Sequence, residues 1–259
     1  MVKCSGKSVL KGIAAGKLYL YRKKEFVLTQ EKVGDPEAEI ERFEEARQKA
    51  CSQLDVLYEK AVKEAGEEQA MIFDVHRIML DDGDYLDAIR EEIRSTGVNA
   101  AYAVNVTGER FAQMFASMDD DYMKARSADV LDISRRVSGI LAGAGEEGIV
   151  SDEPVILLAD DLAPSETVQI DKSRILALVT RGGSTNSHTA ILARSMNIPA
   201  LVQADVELKE EYHGKPAVVD GFEGIFYIDP QETVLASLLR KKEEADRARS
   251  ELEMLKGLD

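Results

Sequence analysis

Between Asp35 and Ala142 the sequence keeps a helical period, and on either side of that stretch it reads as strand. Ile40, Phe43, Arg47, Ala50, Leu54, Leu57 and Ala61 step by three and four, a narrow seam suited to a helical hairpin. Asp35-Pro36 supplies an N-cap and a first-turn proline. Further helices are expected from Glu67 to Leu80, Tyr85 to Arg94, Ala100 to Met118 and Tyr122 to Leu141. Gly83, Gly97 and Asp119-Asp120-Asp121 separate them, so the stretch predicts an up-and-down bundle.

The flanks obey a different rule. Residues 1–30 alternate as strands, and Gly143-Ala144-Gly145-Glu146-Glu147-Gly148 ends the helical pattern. Strands are then expected at Pro154 to Ala159, Ile175 to Val179, Ala200 to Val202, Pro216 to Asp220 and Gly224 to Ile228, with short helices at Ser165 to Ile170 and His188 to Met196. The fold class is therefore a two-subdomain α+β or α/β protein, in which a helical bundle interrupts an α/β domain. Residues 1–30 and 144–230 form the α/β domain, 31–143 the bundle, and 231–259 a charged helix read as a linker.

A chain of 259 residues with a formal charge of −15 has enough apolar content for two cores and repels phosphate backbones and anionic lipid. A basic protein partner suits that charge, and nucleic acid and membrane are not expected as partners. No stretch reaches the length of a membrane span, and the first residues lack the apolar core of a signal peptide. Cys4 and Cys51 form neither a disulfide framework nor a metal site, which fits a reducing compartment, and a cytoplasmic location is expected.

The chemistry gathers at Thr180-Arg181-Gly182-Gly183-Ser184-Thr185-Asn186-Ser187-His188, a polar loop between a buried strand and a short helix. Its glycines allow positive φ or close approach of a bound group, and Ser184 to Ser187 are four successive candidate caps. His188 then falls at or just inside the first helical turn, where unpaired N–H groups and the helix dipole favour an anion. A neutral imidazole is a nucleophile near pH 7, so the pattern suits a phosphohistidine. Arg194, six residues on, reaches back along the helix as a phosphate contact or a surface ion pair, and Arg181 is a weaker choice. In Asp160-Asp161-Leu162-Ala163-Pro164-Ser165-Glu166-Thr167, Ser165 can cap the following helix and Thr167 can turn a hydroxyl toward the His188 loop.

His76 and His213 are read as structural. The bundle is unusually rich in soft and aromatic side chains, namely Met71, Met79, Met114, Met118, Met123, Phe73, Tyr85, Phe111, Phe115 and Tyr122. Most are expected in the core. Any that are exposed beside Glu67, Glu68, Asp81, Asp82 and Asp84 would make an apolar patch with an acidic rim.

Gly182-Gly183, Thr185, His188, Ala190-Ile191 and Ala193-Arg194 together resemble the phosphohistidine signature of the phosphoenolpyruvate-utilising enzymes, a group that includes pyruvate phosphate dikinase and phosphoenolpyruvate synthase. Phe73 to Asp82, Asp119 to Met123 with Ala128 to Val130, and Asp160 to Thr167 look specifically like Enzyme I of the bacterial sugar phosphotransferase system, and the likeness covers nearly the whole chain. It implies a phosphoryl relay from phosphoenolpyruvate through His188 to the histidine-containing phosphocarrier protein (HPr). Thr167, Ser187, Arg194 and Gly183 would orient the phosphate. Met79, Leu80, Tyr85, Phe111, Met114, Met123 and Arg126, with Glu67, Glu68 and Asp82, would bind the carrier.

The resemblance also implies that phosphoenolpyruvate, magnesium and the dimer interface belong to a carboxyl-terminal half outside this sequence. No cofactor is then expected in this chain, which should be monomeric, exchange phosphate reversibly with the carrier and not use phosphoenolpyruvate alone. The loop departs from the family pattern of a glycine pair, one arginine and Thr-Ser-His, because Ser184-Thr185-Asn186 stands between Gly183 and Ser187, by insertion or by substitution without a gap. Two alternatives follow: the phosphohistidine domain of a dikinase-like enzyme, and a carrier-binding module without catalysis.

Overall fold

Aspartate and glycine punctuate the helical stretch as their chemistry dictates. The computed structural model describes residues 1–23, 28–143 and 151–256, and the side chains of all of these but 65 and 249–256. By packing, residues 24–147 form one unit, and residues 1–23 with 148–259 another. The expected glycine-rich break lies largely in residues 144–150, outside the described residues.

Among the described residues the first unit holds five helices: α1 (Pro36–Ala65), α2 (Glu67–Leu80), α3 (Gly83–Thr96), α4 (Ala100–Ala116) and α5 (Asp121–Leu141). Side chains of Asp35, Asp82 and Asp120 accept backbone N–H bonds at the starts of α1, α3 and α5. Gly66, at φ +91°, is the one residue between α1 and α2, and Gly97, at φ +62°, ends α3. The seam Ile40, Phe43, Ala50, Leu54, Leu57 and Ala61 is buried, as its spacing predicts. Where α4 meets α5, a Cβ on Gly108 would fall on the Ser134 side chain, so these two helices approach as closely as a missing side chain permits.

Among the described residues the second unit is built on eight strands: β1 (Val2–Ser5), β2 (Lys7–Leu10), β3 (Ile13–Leu20), β4 (Val155–Ala159), β5 (Ile175–Thr180), β6 (Ala200–Val202), β7 (Pro216–Asp220) and β8 (Ile225–Ile228). Their order is β1-β8-β7-β3-β4-β5-β6-β2. Strands β3 to β6 run parallel, and the other pairings are antiparallel. β1 and β2 stand at opposite ends of that order yet are joined by Gly6 alone, so the sheet curls until its two edges meet. Gly6 donates its N–H to the Gly224 carbonyl at 2.9 Å across this closure.

Both faces of the central strands are covered, which is why β4 is apolar throughout. Ile156 and Leu158 face an inner core with Leu18, Ala177, Val179, Val219 and Phe226. Val155, Leu157 and Ala159 face an outer core beneath α6 (Pro164–Gln169) and α7 (His188–Met196), to which Leu162 and Leu192 contribute. The last helix, α8 (Glu232–Lys256), begins as part of this domain: Val234, Leu235 and Leu238 pack on Ile13 and Val218, and Lys241 pairs with buried Asp220 at 2.8 Å. The linker reading is corrected for these turns, because their leucines cover apolar sheet surface that would otherwise face water.

The closure sets a test. Gly214 and Gly224 both have left-handed backbones, with φ of +78° and +69°. A Cβ at Gly214 meets nothing within 4 Å, whereas at Gly224 it would sit 2.6 Å from the Gly6 carbonyl oxygen. Gly214→Ala should cost about 1–2 kcal/mol, the left-handed penalty alone. Gly224→Ala should cost about 1–3 kcal/mol more, from overpacking against backbone. Thermal denaturation of both variants checks the difference, and equal losses would mean that the closure is not tight.

Candidate functional site

The parallel run β3-β4-β5-β6 brings Tyr21, Asp160, Arg181 and Gln203 to one edge, the carboxyl ends of the strands, where open α/β sheets collect ligands. The His188 loop starts here. Gly182 donates its N–H to the Asp160 carbonyl at 2.7 Å, and Arg181 pairs with the Asp160 carboxylate at 2.8 Å. Arg181 is therefore held at the rim of the loop by this ion pair.

Gly183 has φ +78°, and a Cβ on it would lie 3.1 Å from Asp161 Oδ1 and 3.2 Å from Ser187 Oγ. Both its conformation and its tight surroundings call for glycine. Asp161 Oδ1 also accepts from the Leu162 N–H at 2.9 Å and the Thr189 hydroxyl at 3.4 Å, tying the β4 loop to the start of α7. Ser187 is the N-cap of α7, its Oγ accepting the Ala190 N–H at 3.4 Å, and His188, half-buried, is the first helical residue.

Two long side chains grip the loop from outside. Arg194 Nη2 donates to the Thr185 carbonyl at 2.7 Å, so its side chain folds back past the helix start to the loop. Gln203 Nε2 donates to the Gly183 carbonyl at 3.0 Å, and the Gln203 N–H donates to the Gly182 carbonyl at 3.2 Å. Gln203 has φ +53°, a left-handed conformation that costs a residue with a Cβ about 1–2 kcal/mol.

Helix α6 lies beside α7. Its N-cap is Ala163, and the capping group is Glu166, whose Oε2 accepts the Ala163 N–H at 2.6 Å. This corrects the expectation for Ser165, which is buried within the first turn because Pro164 already begins the helix. Glu166 also accepts from the Tyr21 hydroxyl at 2.7 Å and pairs with Lys23 at 3.3 Å. Thr167 is buried, and its hydroxyl donates to the Pro164 carbonyl at 2.7 Å. Asp161, Glu166 and Gln203 were not among the expected site residues. Glu166 was within reach, as the third residue of a helix begun by Pro164. The other two act only once β4, β5 and β6 are neighbours.

The docking surface expected on the bundle needs correction. Leu80 and Tyr85 are buried, and the Tyr85 hydroxyl is 2.8 Å from Ser134 Oγ, with its ring edge-on to Phe111 at 5.4 Å and its pKa pushed up to about 12 by burial. The expectation that most of the methionines and aromatics are core also fails, since only Phe73 and Tyr85 of the ten are fully buried. Ala70, Ala100, Ala103, Ala112 and Gly108 occupy the inner helix faces instead, and their small size leaves the longer side chains outside.

The exposed side chains of the bundle include both apolar and acidic ones. Ile78 is 70% exposed, Tyr122 65%, Met71 59% and Met114 45%. Met79, Phe111 and Met123 are half-buried, and Glu67, Glu68 and Asp82 are exposed. Ile78, the most exposed of these apolar residues, was not anticipated.

Arg126 packs over the Tyr122 ring at 4.4 Å and donates to Asp129 Oδ2 at 2.8 Å. Asp129 Oδ1 is 3.3 Å from Nε2 of buried His76, whose Nδ1 lies 3.7 Å from Asp132. Burial pushes the Asp129 carboxyl up, but His76 and then Arg126 pull it below its ordinary value. His213 accepts the Leu20 N–H at 3.3 Å and meets Tyr19 edge-on. Among the described residues no group of three or more His, Cys, Asp or Glu is placed to hold a metal ion. No described helix is long and apolar enough to cross a membrane.

These two units, an α/β domain with a loop-borne histidine and an inserted bundle, match two family models: "PEP-utilising enzyme, N-terminal" over residues 5–126 and "PEP-utilising enzyme, mobile domain" over residues 151–224. The chain belongs to the phosphoenolpyruvate-utilising enzyme family. Within it, the likeness is to the amino-terminal part of Enzyme I, the phosphoenolpyruvate-protein phosphotransferase. The Bacillus subtilis (strain 168) phosphotransferase is 37% identical over 237 residues, 90% of this chain and 41% of the relative. That of Bacillus sp. (strain S) is 36% identical over 242 residues, 93% of this chain and 42% of the relative. The chain thus spans about two-fifths of the length of the curated relatives it matches. A solution structure of Enzyme I (nEIt) superposes with a TM-score of 0.74 at 33% identity, covering 94% of this chain and 99% of that one.

The Asp129 cluster predicts a pH dependence. A carboxyl depressed on folding stabilises the fold above its unfolded pKa of about 3.9, and that contribution is lost as pH falls through the lower folded value. Asp129→Asn should therefore cost about 1.5–3 kcal/mol at pH 7, the range for hydrogen bonds to a charged group, and progressively less below about pH 4. Denaturation at several pH values checks this, and a pH-independent cost would rule out the charge as its source.

Proposed function

We propose that this chain is the phosphohistidine half of a cytoplasmic phosphoenolpyruvate–protein phosphotransferase. In this reading it relays a phosphoryl group from phosphoenolpyruvate, presented by a domain outside this sequence, to the histidine of HPr. The observation that carries the reading is the placement of His188. It is the first residue of a serine-capped helix, behind a clamped glycine loop at the carboxyl edge of parallel strands.

In the first step an imidazole nitrogen of His188 forms a bond to phosphorus as the bond from phosphorus to the enol oxygen breaks, and enolpyruvate leaves. In the second, the carrier histidine attacks the same phosphorus and the His188 nitrogen departs with its electron pair. Such transfers depend on positioning and on stabilising equatorial oxygen charge. In this reading the helix start of α7 favours that charge, and Arg194, held on the Thr185 carbonyl, brings a cation to the same loop. Thr167 takes part by exchanging its bond from the Pro164 carbonyl to a phosphoryl oxygen, and Ser187 and Gly183 fix where the helix begins. The exposed apolar and acidic side chains of the bundle are the docking site, suited to a carrier with a basic face.

Mixing the chain with phosphorylated carrier at mildly alkaline pH and weighing the intact protein tests this reading. One acid-labile phosphoryl group should appear on the chain and be absent from His188→Ala, while carrier affinity stays within about twofold because docking lies on a separate unit. Phosphorylation of His188→Ala, or none of the unmodified chain, would overturn it.

A further inference from the structure

Gln203 is an exposed side chain in a conformation that exposed glutamines ordinarily avoid, since φ is +53° immediately after β6. The same residue makes two bonds into the His188 loop. Its N–H reaches the Gly182 carbonyl at 3.2 Å, and its side-chain amide reaches the Gly183 carbonyl at 3.0 Å. The next N–H, that of Ala204, reaches the Thr180 carbonyl at 3.0 Å, so the chain turns at Gln203 while holding the end of β5 on both sides of Arg181. A glycine would adopt this backbone without strain but would lose the side-chain donor to Gly183.

The grip falls where it controls His188. Gly183 is wedged against Asp161 and Ser187, the latter being the residue that caps α7. A displaced Gly183 carbonyl would shift the cap, and with it the first-turn N–H groups and the imidazole. Arg194 holds the loop farther along, at the Thr185 carbonyl. Between them the two side chains fix both ends of Gly183-Ser184-Thr185, and Gln203 does so without adding charge where a phosphoryl group would sit.

We propose that Gln203 is a positioning residue for phosphoryl transfer, and that its left-handed backbone persists because the side-chain amide registers the Gly183 carbonyl and so the start of α7. The role in transfer rests on the relay reading given above; the role in ordering the loop does not.

Two variants separate the amide from the backbone. Gln203→Ala and Gln203→Gly both lose the amide, but only the glycine relieves the conformation. Single-turnover transfer from phosphorylated carrier should slow by about tenfold in both, a modest value for a misplaced reacting group. Carrier affinity should stay unchanged, and Gln203→Gly should melt about 2–4 °C above Gln203→Ala. Backbone amide order at Ser184 to Ser187, read by nitrogen relaxation in the unphosphorylated protein, should fall in both variants.

Loss of loop order in both variants supports the loop-ordering role even if the unmodified chain accepts no phosphoryl group, an outcome that defeats the relay reading and with it the role in transfer. Unchanged loop order overturns the proposal. A Gln203→Gly variant that transfers at the unmodified rate also overturns it, since relief of strain would then be what matters.

Discussion

The site depends on β4 and β5 lying side by side and parallel. That pairing places the loop after Ala159 against the loop after Thr180, so Asp160 can bind both Gly182 and Arg181, and Asp161 can reach Leu162 and Thr189. Without it the His188 loop would be a run of glycines and hydroxyls with no fixed shape. The parallel arrangement in turn requires both faces of the strands to be covered, which the inner core, α6 and α7 provide.

Neutral and charged partners divide the holding of the loop. Arg181 and Asp160 form an exposed ion pair at the rim, where water screens it and its contribution is small. The inner contacts are hydrogen bonds from Gln203 and Arg194 to carbonyls, and from backbone N–H groups to Asp161 and Ser187. The loop is shaped chiefly by its backbone groups, so Ser184, Thr185 and Asn186 can differ from the family pattern while Gly183 keeps its left-handed conformation.

Much of this was legible in the sequence because burial imposes a period. The α1 seam and the apolar β4 and β5 runs mark their elements within a residue or two, and Ser187 before His188 marks a helix start. The direction a residue faces is less legible where small side chains form the contact. Leu80 and Ile78 are equally apolar neighbours on α2, yet one is buried and the other exposed, because Ala70, Phe73 and His76 define the inner face. Gln203 was hidden for another reason: a glutamine after a short strand carries no local signal, and its purpose appears only through a neighbouring strand twenty residues away.

The single-residue junction at Gly6 bears on how the protein is made. β1 pairs with β8 and β2 with β6, so the first ten residues leave the ribosome long before their partners exist. The five helices are contiguous in sequence and can pack as soon as Leu141 has emerged. β1, which closes the sheet onto β8, is therefore the earliest made of these eight strands, and the bundle can pack while β1, β2 and β3 still lack their later partners. Four charged or hydroxyl side chains in β1 and β2, Lys3, Ser5, Lys7 and Ser8, with Lys11 just beyond, keep that waiting segment soluble until β8 arrives.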